Sequence, residues 1–266
     1  MSSQKIRRHY WWIYILIFII SQLMAGVLPF LGRLYGNSTL TGIGMVSYAL
    51  LLANLIGITL FFCYRPCSVT WANTLAGFRG RKGRRGGLVF LLAIPTILLV
   101  NLAQEVLLPD LPNWVGDDVF ANIFMNPAGL ITVCLIGPIC EELLFRGGVL
   151  TDLSLYHSDQ GWFVPVLLTA ALFAMVHVNP AQLPAAFTLG ILLGFAYWWT
   201  GSLVAPVCIH VFNNSFACLM NFLSPDDDSM VAFFGGSTSA GLVAVVSVFA
   251  FYLIIRAVQK EGIKEV

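Results

Sequence analysis

The sequence predicts an all-α, polytopic integral membrane protein with about eight transmembrane helices. Three observations support this fold class: 58% of the 266 residues are hydrophobic, only 10% are charged, and the mean hydropathy is +0.84. Soluble domains carry about 25% charged residues. The apolar residues also occur in runs close to the ~20 residues that a helix needs to cross the bilayer core. The formal net charge of +1 does not favour nucleic acid as a partner.

Eight apolar runs are candidates for the transmembrane helices. They are Tyr10–Leu31, Gly44–Tyr64, Gly87–Leu107, Asn126–Arg146, Gly161–Val178, Gln182–Trp199, Ser202–Phe222 and Ala240–Ile255. Asn179-Pro180 separates the fifth run from the sixth, because proline cannot continue a helix and disfavours helical backbone at the residue before it. The first run is longer than the about 7–15 apolar residues of a signal peptide, so we expect it to be a retained span.

The charged residues between the runs predict how the chain crosses the membrane. Basic residues occupy the N-terminal segment, the loop after the second run and the tail: Lys5, Arg7, Arg8, Arg65, Arg79, Arg81, Lys82, Arg84, Arg85, Arg256, Lys260 and Lys264. Acidic residues follow the third and seventh runs: Asp110, Asp117, Asp118, Asp226, Asp227 and Asp228. Because lysine and arginine stay preferentially in the cytoplasm, we predict a multi-pass protein of the cell membrane with both termini cytoplasmic.

Three charged residues stand at the end of the fourth run. Ionisable groups within a membrane segment are costly and usually mark function. Glu142 and Arg146 are four residues apart, so we expect them to share a helix face and to form a structural ion pair. Glu141 lies about 100° further round the helix, at 3.6 residues per turn. We therefore expect Glu141 to face a cavity and to take part in chemistry.

Two histidines and an asparagine are the candidate partners of Glu141. His177 ends the fifth run, and His210 and Asn214 lie four residues apart on the seventh. Each alone would more often be a satisfied core residue or a polar contact between helices. Together they suit hydrolysis, because a carboxylate and an imidazole can take a proton from water, and a second imidazole and an amide N–H can stabilise an oxyanion. Glu141, His177 and His210 could instead bind Zn²⁺ and leave one position open for water.

The cysteines do not add to this chemistry. All six lie in or beside apolar runs and are predicted to be small buried hydrophobic residues: Cys63, Cys67, Cys134, Cys140, Cys208 and Cys218. Cys140 adjoins Glu141, but it points elsewhere on the helix and has no local base. It is therefore a poor candidate for a nucleophile.

Three motifs, in this order and on separate runs, resemble the CPBP family of type II CAAX prenyl endopeptidases and bacterial Abi-type intramembrane proteases. They are Glu141-Glu142-x-x-x-Arg146, Phe173-x-x-x-His177 and His210-x-x-x-Asn214. The resemblance implies that Glu141 and His177 activate a water molecule. It also implies that His210 and Asn214 bind the oxyanion and that Glu142 and Arg146 organise the site. Whether a divalent metal such as zinc is required stays open.

The resemblance covers roughly residues 126–222, and the first three spans and the last match the family only in hydrophobic character. Residues 1–125 would form a three-span region with a basic cytoplasmic loop, residues 126–222 the catalytic core, and residues 223–266 an acidic outer loop, the last span and a basic tail. The expected function is an intramembrane endopeptidase acting on a membrane-associated peptide or protein. Eukaryotic relatives remove C-terminal tripeptides from prenylated substrates, whereas bacterial relatives are linked to peptide maturation or bacteriocin immunity.

Two other functions are compatible with the same residues. A non-catalytic membrane scaffold or bacteriocin-immunity protein would keep the fold without using the site. A proton-coupled transporter would use the glutamate and the histidines as a relay, although no inverted repeat is visible in the sequence.

Helix geometry conflicts with the predicted run boundaries at one point. At about 1.5 Å per residue, Glu141 lies about 9 Å from the inner boundary of the bilayer core and His210 about 12 Å, but His177 lies about 24 Å from it. Side chains that act together must lie at similar depth. We therefore expect the boundaries of the runs, rather than the choice of residues, to be in error.

Overall fold

The computed structural model describes residues 10–36, 38, 42–65, 80–114, 123–157, 159–224 and 229–262. These residues contain helices and no strand, in agreement with the predicted all-α fold. In chain order the helices are α1 (Trp11–Leu34), α2 (Ile43–Tyr64), α3 (Gly80–Leu107), α4 (Pro127–Tyr156), α5 (Phe163–Met175), α6 (Leu183–Thr200), α7 (Val204–Leu223), α8 (Met230–Phe233) and α9 (Ser237–Glu261). A short 3₁₀ turn, Pro180–Gln182, precedes α6.

Within the described part of the chain, six helices are long and apolar enough to cross a membrane: α1, α2, α3, α4, α6 with its 3₁₀ turn, and α9. The polytopic membrane fold is therefore confirmed, with the number of crossings approximate. The fifth and seventh predicted spans are the exceptions. Helix α5 has only 13 residues, or about 20 Å of helix. Helix α7 is long enough but carries His210, Asn213, Asn214 and Asn221, which lower its hydropathy.

One end of the bundle gathers charged residues from distant parts of the chain. At the start of α3, Arg84 Nε lies 3.2 Å from a carboxylate oxygen of Glu261, the last residue of α9. Arg85 is buried, and its guanidinium donates to the backbone oxygens of Trp199 and Gly262. The basic start of α3 and the end of α9 therefore share one face, as the predicted topology requires. Residues Lys5–Arg8, Arg79, Asp117, Asp118, Asp226–Asp228 and Lys264 lie outside the described residues, and the side of the membrane stays a prediction.

Helix α4 is the centre of the bundle. It contacts α1, α2, α5, α6 and α7, and every residue from Glu142 to Leu150 is buried. A helix that is buried on all sides must be approached closely by its neighbours. Gly148 permits such an approach, because a Cβ atom there would collide with the ring of Tyr14 on α1.

Two π-helical stretches interrupt α4, at Thr132–Ile136 and Leu143–Leu150. They flank the α-helical segment Gly137–Glu142, which carries both glutamates. Pro138 follows the first stretch, and proline within a helix removes an N–H donor and crowds the preceding turn. Wide turns of this kind relieve such crowding and recur at functional sites.

The predicted end of the fourth span at Arg146 is wrong, and this error explains the difference in predicted depth between Glu141 and His177. Helix α4 continues to Tyr156, so Glu141 lies 15 residues, or about 22 Å, from its end. Helix α5 begins at Phe163, which puts His177 about 21 Å along the chain direction from the same end of the bundle. Glu141 and His177 therefore lie at similar depth.

Candidate active site

The predicted ion pair between Glu142 and Arg146 is present. Arg146 Nη1 donates to Glu142 Oε1 over 2.9 Å, and both side chains are fully buried. Arg146 Nη2 donates to the backbone oxygen of Gly190 over 3.1 Å, and the guanidinium carbon lies 4.5 Å from the centroid of the Phe173 ring. A buried ion pair needs such additional partners to offset its desolvation. Arg146 thus joins α4 to both α5 and α6.

The contact with Gly190 depends on close packing of α5 against α6. A Cβ atom at Gly190 would lie 3.0 Å from both the Cα and the Cβ of Ala170. Only glycine permits this approach without displacing α5. The same approach brings the Gly190 carbonyl within reach of Arg146.

Glu142 also binds His210 on α7. The distance from His210 Nδ1 to Glu142 Oε1 is 2.8 Å. Because an ionised carboxylate only accepts hydrogen bonds, Nδ1 carries the proton. Nε2 then points away from Glu142 and lies 3.8 Å from Glu141 Oε2. Glu142 therefore fixes both the tautomer and the ring orientation of His210, which adds to its structural role beside Arg146.

Glu141 differs from Glu142 in its surroundings. Its side chain is 18% exposed, whereas that of Glu142 is fully buried. Its Oε2 atom has no hydrogen-bond partner among the described residues. Glu141 therefore lines a cavity, and its buried Oε2 atom is an unused acceptor.

His177 is held by the helix that precedes it. Its Nδ1 atom lies 2.8 Å from the backbone oxygen of Phe173, one turn earlier. The carbonyl can only accept, so Nδ1 carries the proton and, in the neutral ring, Nε2 is free to act as a base. The buried ring of Phe173 contacts both imidazoles, with centroid distances of 4.8 Å to His177 and 5.8 Å to His210.

The turn after His177 is strained and tied down. Val178 has φ +53°, a left-handed conformation that is costly for a β-branched residue. Asn179, 1% exposed, accepts a hydrogen bond from the Trp114 backbone N–H and donates one to Asn113 Oδ1. These bonds fasten the turn to the segment that follows α3.

Asn214 is oriented by two hydrogen bonds. Its Nδ2 donates to the backbone oxygen of Val133, over 2.9 Å, in the first π-helical stretch of α4. Its Oδ1 accepts from Asn213 Nδ2 over 3.1 Å. An amide nitrogen carries two protons, so the second N–H of Asn214 is left for a ligand.

Four of the predicted residues open into one cavity of about 840 Å³. Glu141, His177, His210 and Asn214 all line it, with Glu141 contributed by α4, His177 by the turn after α5, and the other two by α7. Glu142 and Arg146 lie beneath its surface. The volume falls at the upper end of the range of about 300–1,000 Å³ that is typical of ligand sites.

The structure does not bring the three candidate zinc ligands together around one position. Among the described residues, no three His, Cys, Asp or Glu side chains are arranged to share a metal ion. A catalytic zinc normally needs three protein ligands and a water. Glu141, His177 and His210 therefore line one cavity without forming a metal site in this arrangement.

Comparison with known proteins identifies the segment that holds these side chains. Residues 123–216 match the family described as Type II CAAX prenyl endopeptidase Rce1-like. This Rce1-like segment contains all six predicted site residues, from Glu141 to Asn214. It is the region for which the sequence motifs indicated the CPBP resemblance.

Two curated relatives support the same relationship. The chain is 28% identical over 105 residues to the membrane-embedded CAAX protease MroQ of Staphylococcus aureus (strain USA300), which covers 38% of this chain and 42% of the relative. It is 26% identical over 116 residues to a Bacillus subtilis (strain 168) protein named "Putative membrane peptidase YdiL", covering 41% and 46%. The chain therefore spans less than half the length of these relatives. No solved structure gives a significant match.

Several contacts of the site are not visible in the sequence motifs. Asn214 is held by the Val133 backbone oxygen and by Asn213, and Arg146 is held by the Gly190 backbone oxygen. Contacts to backbone oxygens leave no signature in a sequence motif. The adjacent asparagines Asn213-Asn214 were the one available signal. The cysteine prediction is wrong in part, because Cys63 and Cys208 are exposed; Cys67 lies outside the described residues. The thiol sulfurs of Cys134 and Cys218 lie 3.0 Å apart between α4 and α7.

Proposed function

We propose that this protein is an intramembrane endopeptidase that hydrolyses a peptide bond of a membrane-associated peptide or protein. The observation that carries the proposal is the bond between Glu142 and His210, which turns His210 Nε2 towards Glu141 at the wall of a large cavity inside a helical bundle. The Rce1-like match and the two relatives support a membrane protease in general. The residue roles below belong to the proposal.

Glu141 and His177 activate the water. Glu141 Oε2 is an unused carboxylate oxygen, and His177 Nε2 is the unprotonated nitrogen of a ring fixed through Nδ1. A water held between such groups loses a proton as its oxygen attacks the carbonyl carbon of the substrate. The proton passes to this pair, and the carbonyl oxygen becomes an oxyanion.

His210 and Asn214 stabilise the oxyanion. Because Nδ1 of His210 is bound to Glu142, its Nε2 can donate only when the ring is the imidazolium ion. In that form, His210 and Arg146 carry two positive charges beside the two carboxylates of Glu141 and Glu142. Asn214 supplies its second N–H, while the bonds to Val133 and Asn213 hold the amide in place. Donors that are oriented in advance need no reorganisation during the reaction.

Collapse of the tetrahedral intermediate completes the reaction. The carbonyl forms again as the C–N bond breaks, and the proton taken from water is delivered to the leaving nitrogen. The products are a new carboxyl group and a new amine, so the atoms of one water are consumed. No step in this sequence passes through a metal ion.

The test compares the peptides of cells that express the native protein, Glu141→Gln or Glu261→Gln. Glutamine keeps the shape of Glu141 but cannot take the proton, so the products of cleavage should disappear in Glu141→Gln. Glu261 pairs with Arg84 at the end of the bundle, so Glu261→Gln controls for the exchange itself and should leave the products unchanged. Equal peptide profiles for all three proteins would contradict a protease and favour a non-catalytic scaffold.

A further inference from the structure

The cavity contains hydrogen-bond acceptors that the proposed reaction does not use. On α2, Asn54 is 4% exposed and lines the cavity. Its Nδ2 donates to the backbone oxygen of Leu50 over 2.9 Å, which directs Oδ1 away from the helix backbone. Oδ1 is buried and has no partner among the described residues. A buried acceptor without a hydrogen-bond partner lowers the stability of the folded protein, so a ligand that binds it would explain its presence.

Gln104 repeats this arrangement on α3. Its Nε2 donates over 2.7 Å to the backbone oxygen of Ala181, in the 3₁₀ turn before α6. Its Oε1 is buried and, within the described part of the chain, unpaired. Gln104 lines the same cavity as Asn54 and Glu141. In both residues one amide N–H is bound by the protein, and the buried amide oxygen has no partner among the described residues.

The charges of the cavity favour the same kind of ligand. Its described lining includes two carboxylates, Glu105 and Glu141, and neither lysine nor arginine. Glu105 is occupied, because it accepts the backbone N–H groups of Met230 and Val231. A carboxylate that enters this cavity away from His210 would meet like charge in a medium that screens it poorly.

We propose that Asn54 and Gln104 form a binding subsite for backbone N–H groups of the substrate, and that the segment bound is internal and not acidic. This inference rests on the proposed endopeptidase function and specifies its substrate class. An extended peptide offers N–H donors along its length, and two acceptor oxygens in one cavity can each take one. A C-terminal carboxylate beside the scissile bond lacks a cation to pair with, apart from His210, which already lies between Glu141 and Glu142.

The first experiment tests the charge of the ligand, with the full chain purified in lipid nanodiscs. A library of synthetic peptides identifies the best-cleaved sequence. That sequence is then truncated so that the scissile bond lies either centrally or next to the C-terminus, and each form is made as free acid and as carboxamide. For the C-terminal form, the carboxamide should have a kcat/KM about tenfold higher than the acid. The central form should show no difference. Preference for the free acid would overturn the inference.

The second experiment tests the two acceptors. Single N-methylation along the best substrate should find one amide whose methylation raises KM about threefold to tenfold, with little change in kcat. In Asn54→Leu the KM should rise by the same factor, and methylation of that amide should then have no further effect. Gln104→Met should behave in the same way towards a second amide. Thr59→Val is the matched control on α2, since it loses a similar bond to the Leu55 backbone oxygen at an exposed position.

The outcomes separate this inference from the proposed function. Cleavage that requires Glu141, together with equal KM values for Asn54→Leu, Thr59→Val and the native protein, would overturn the subsite alone. Additive losses from methylation and Asn54→Leu would do the same, because the two changes would then act at different places. If no library peptide is cleaved in a Glu141-dependent manner, the proposed function fails and the subsite fails with it.

Discussion

The Nδ1 atom of His210 lies 2.8 Å from Oε1 of Glu142, and the same oxygen accepts from Arg146 over 2.9 Å. One carboxylate oxygen therefore joins a structural ion pair to a candidate catalytic histidine. Glu142 should therefore affect stability through Arg146 and activity through His210, and the two effects should be separable.

Glu142→Gln should lower the free energy of unfolding by about 3–5 kcal/mol, because it leaves Arg146 as a buried charge without its partner. Adding Arg146→Met removes that charge and should recover part of the stability. Cleavage should stay impaired in the double variant, since His210 still lacks its carboxylate. Thermal and denaturant unfolding in detergent measure the first effect, with Glu261→Gln as a control that should cost less than about 1 kcal/mol. Recovery of activity in the double variant would contradict the positioning role of Glu142.

Asn214→Ala removes one donor to the oxyanion and should lower kcat by about 10²–10³-fold. Substrate affinity should change much less, because this interaction strengthens only in the transition state. Asn213→Ala keeps the N–H donor of Asn214 but removes the hydrogen bond to the Asn214 amide oxygen, so a smaller loss of kcat is expected. Steady-state kinetics on a purified substrate separate the two effects. A variant that loses binding and keeps turnover would instead assign Asn214 to substrate binding.

Asn179→Ala should disturb the turn that carries His177. It removes the hydrogen bonds to Trp114 and Asn113, and a small displacement of the base should lower kcat by about 10- to 100-fold. Val178→Gly is the matched change in the same turn. Glycine tolerates φ +53°, and Val178 is 67% exposed, so this variant should retain activity and stability. An equal loss of kcat in both variants would indicate that the turn is generally sensitive to substitution and that Asn179 has no specific role.

Active protein should not require a tightly bound metal. The prediction follows from the donor set, in which Asn214 is a poor zinc ligand and the histidines come from separate segments of the chain. Elemental analysis of detergent-purified, active protein should find far less than one zinc per chain. About one zinc per chain, lost with activity in His177→Ala and restored when stripped native protein receives metal, would contradict this. His210 would then become a ligand instead of an oxyanion donor.

Reporter fusions at Lys264 and Asp227 should report opposite sides of the membrane, with Lys264 in the cytoplasm. The reason is the preference of basic segments for the cytoplasm. Contacts of Arg81 and Arg84 with Glu261 already join the basic start of α3 to the end of α9. Reporters on the same side would contradict the alternation of spans between them.

Local composition and spacing predict much of the fold and part of the site. Apolar runs of about 20 residues define the helices, because backbone groups in lipid must be paired within the helix. The i, i+4 spacing of Glu142 and Arg146 brings them together on one face without help from the rest of the chain. The boundaries were less predictable: the fourth span was predicted to end at Arg146, yet α4 continues to Tyr156 because neighbouring helices bury it.

The sequence by itself determined which residues are available for chemistry, since ionisable groups are rare in so apolar a chain and Glu141, His177 and His210 stand out. Only the tertiary structure decided their contacts and orientations. The bond from His210 to Glu142 and the bond from Asn214 to the Val133 backbone oxygen each join a side chain of one helix to an atom of another. The unpaired acceptors of Asn54 and Gln104 lie at the wall of a cavity between helices. Such contacts depend on the angle and depth at which helices pack, and no spacing along the chain encodes them.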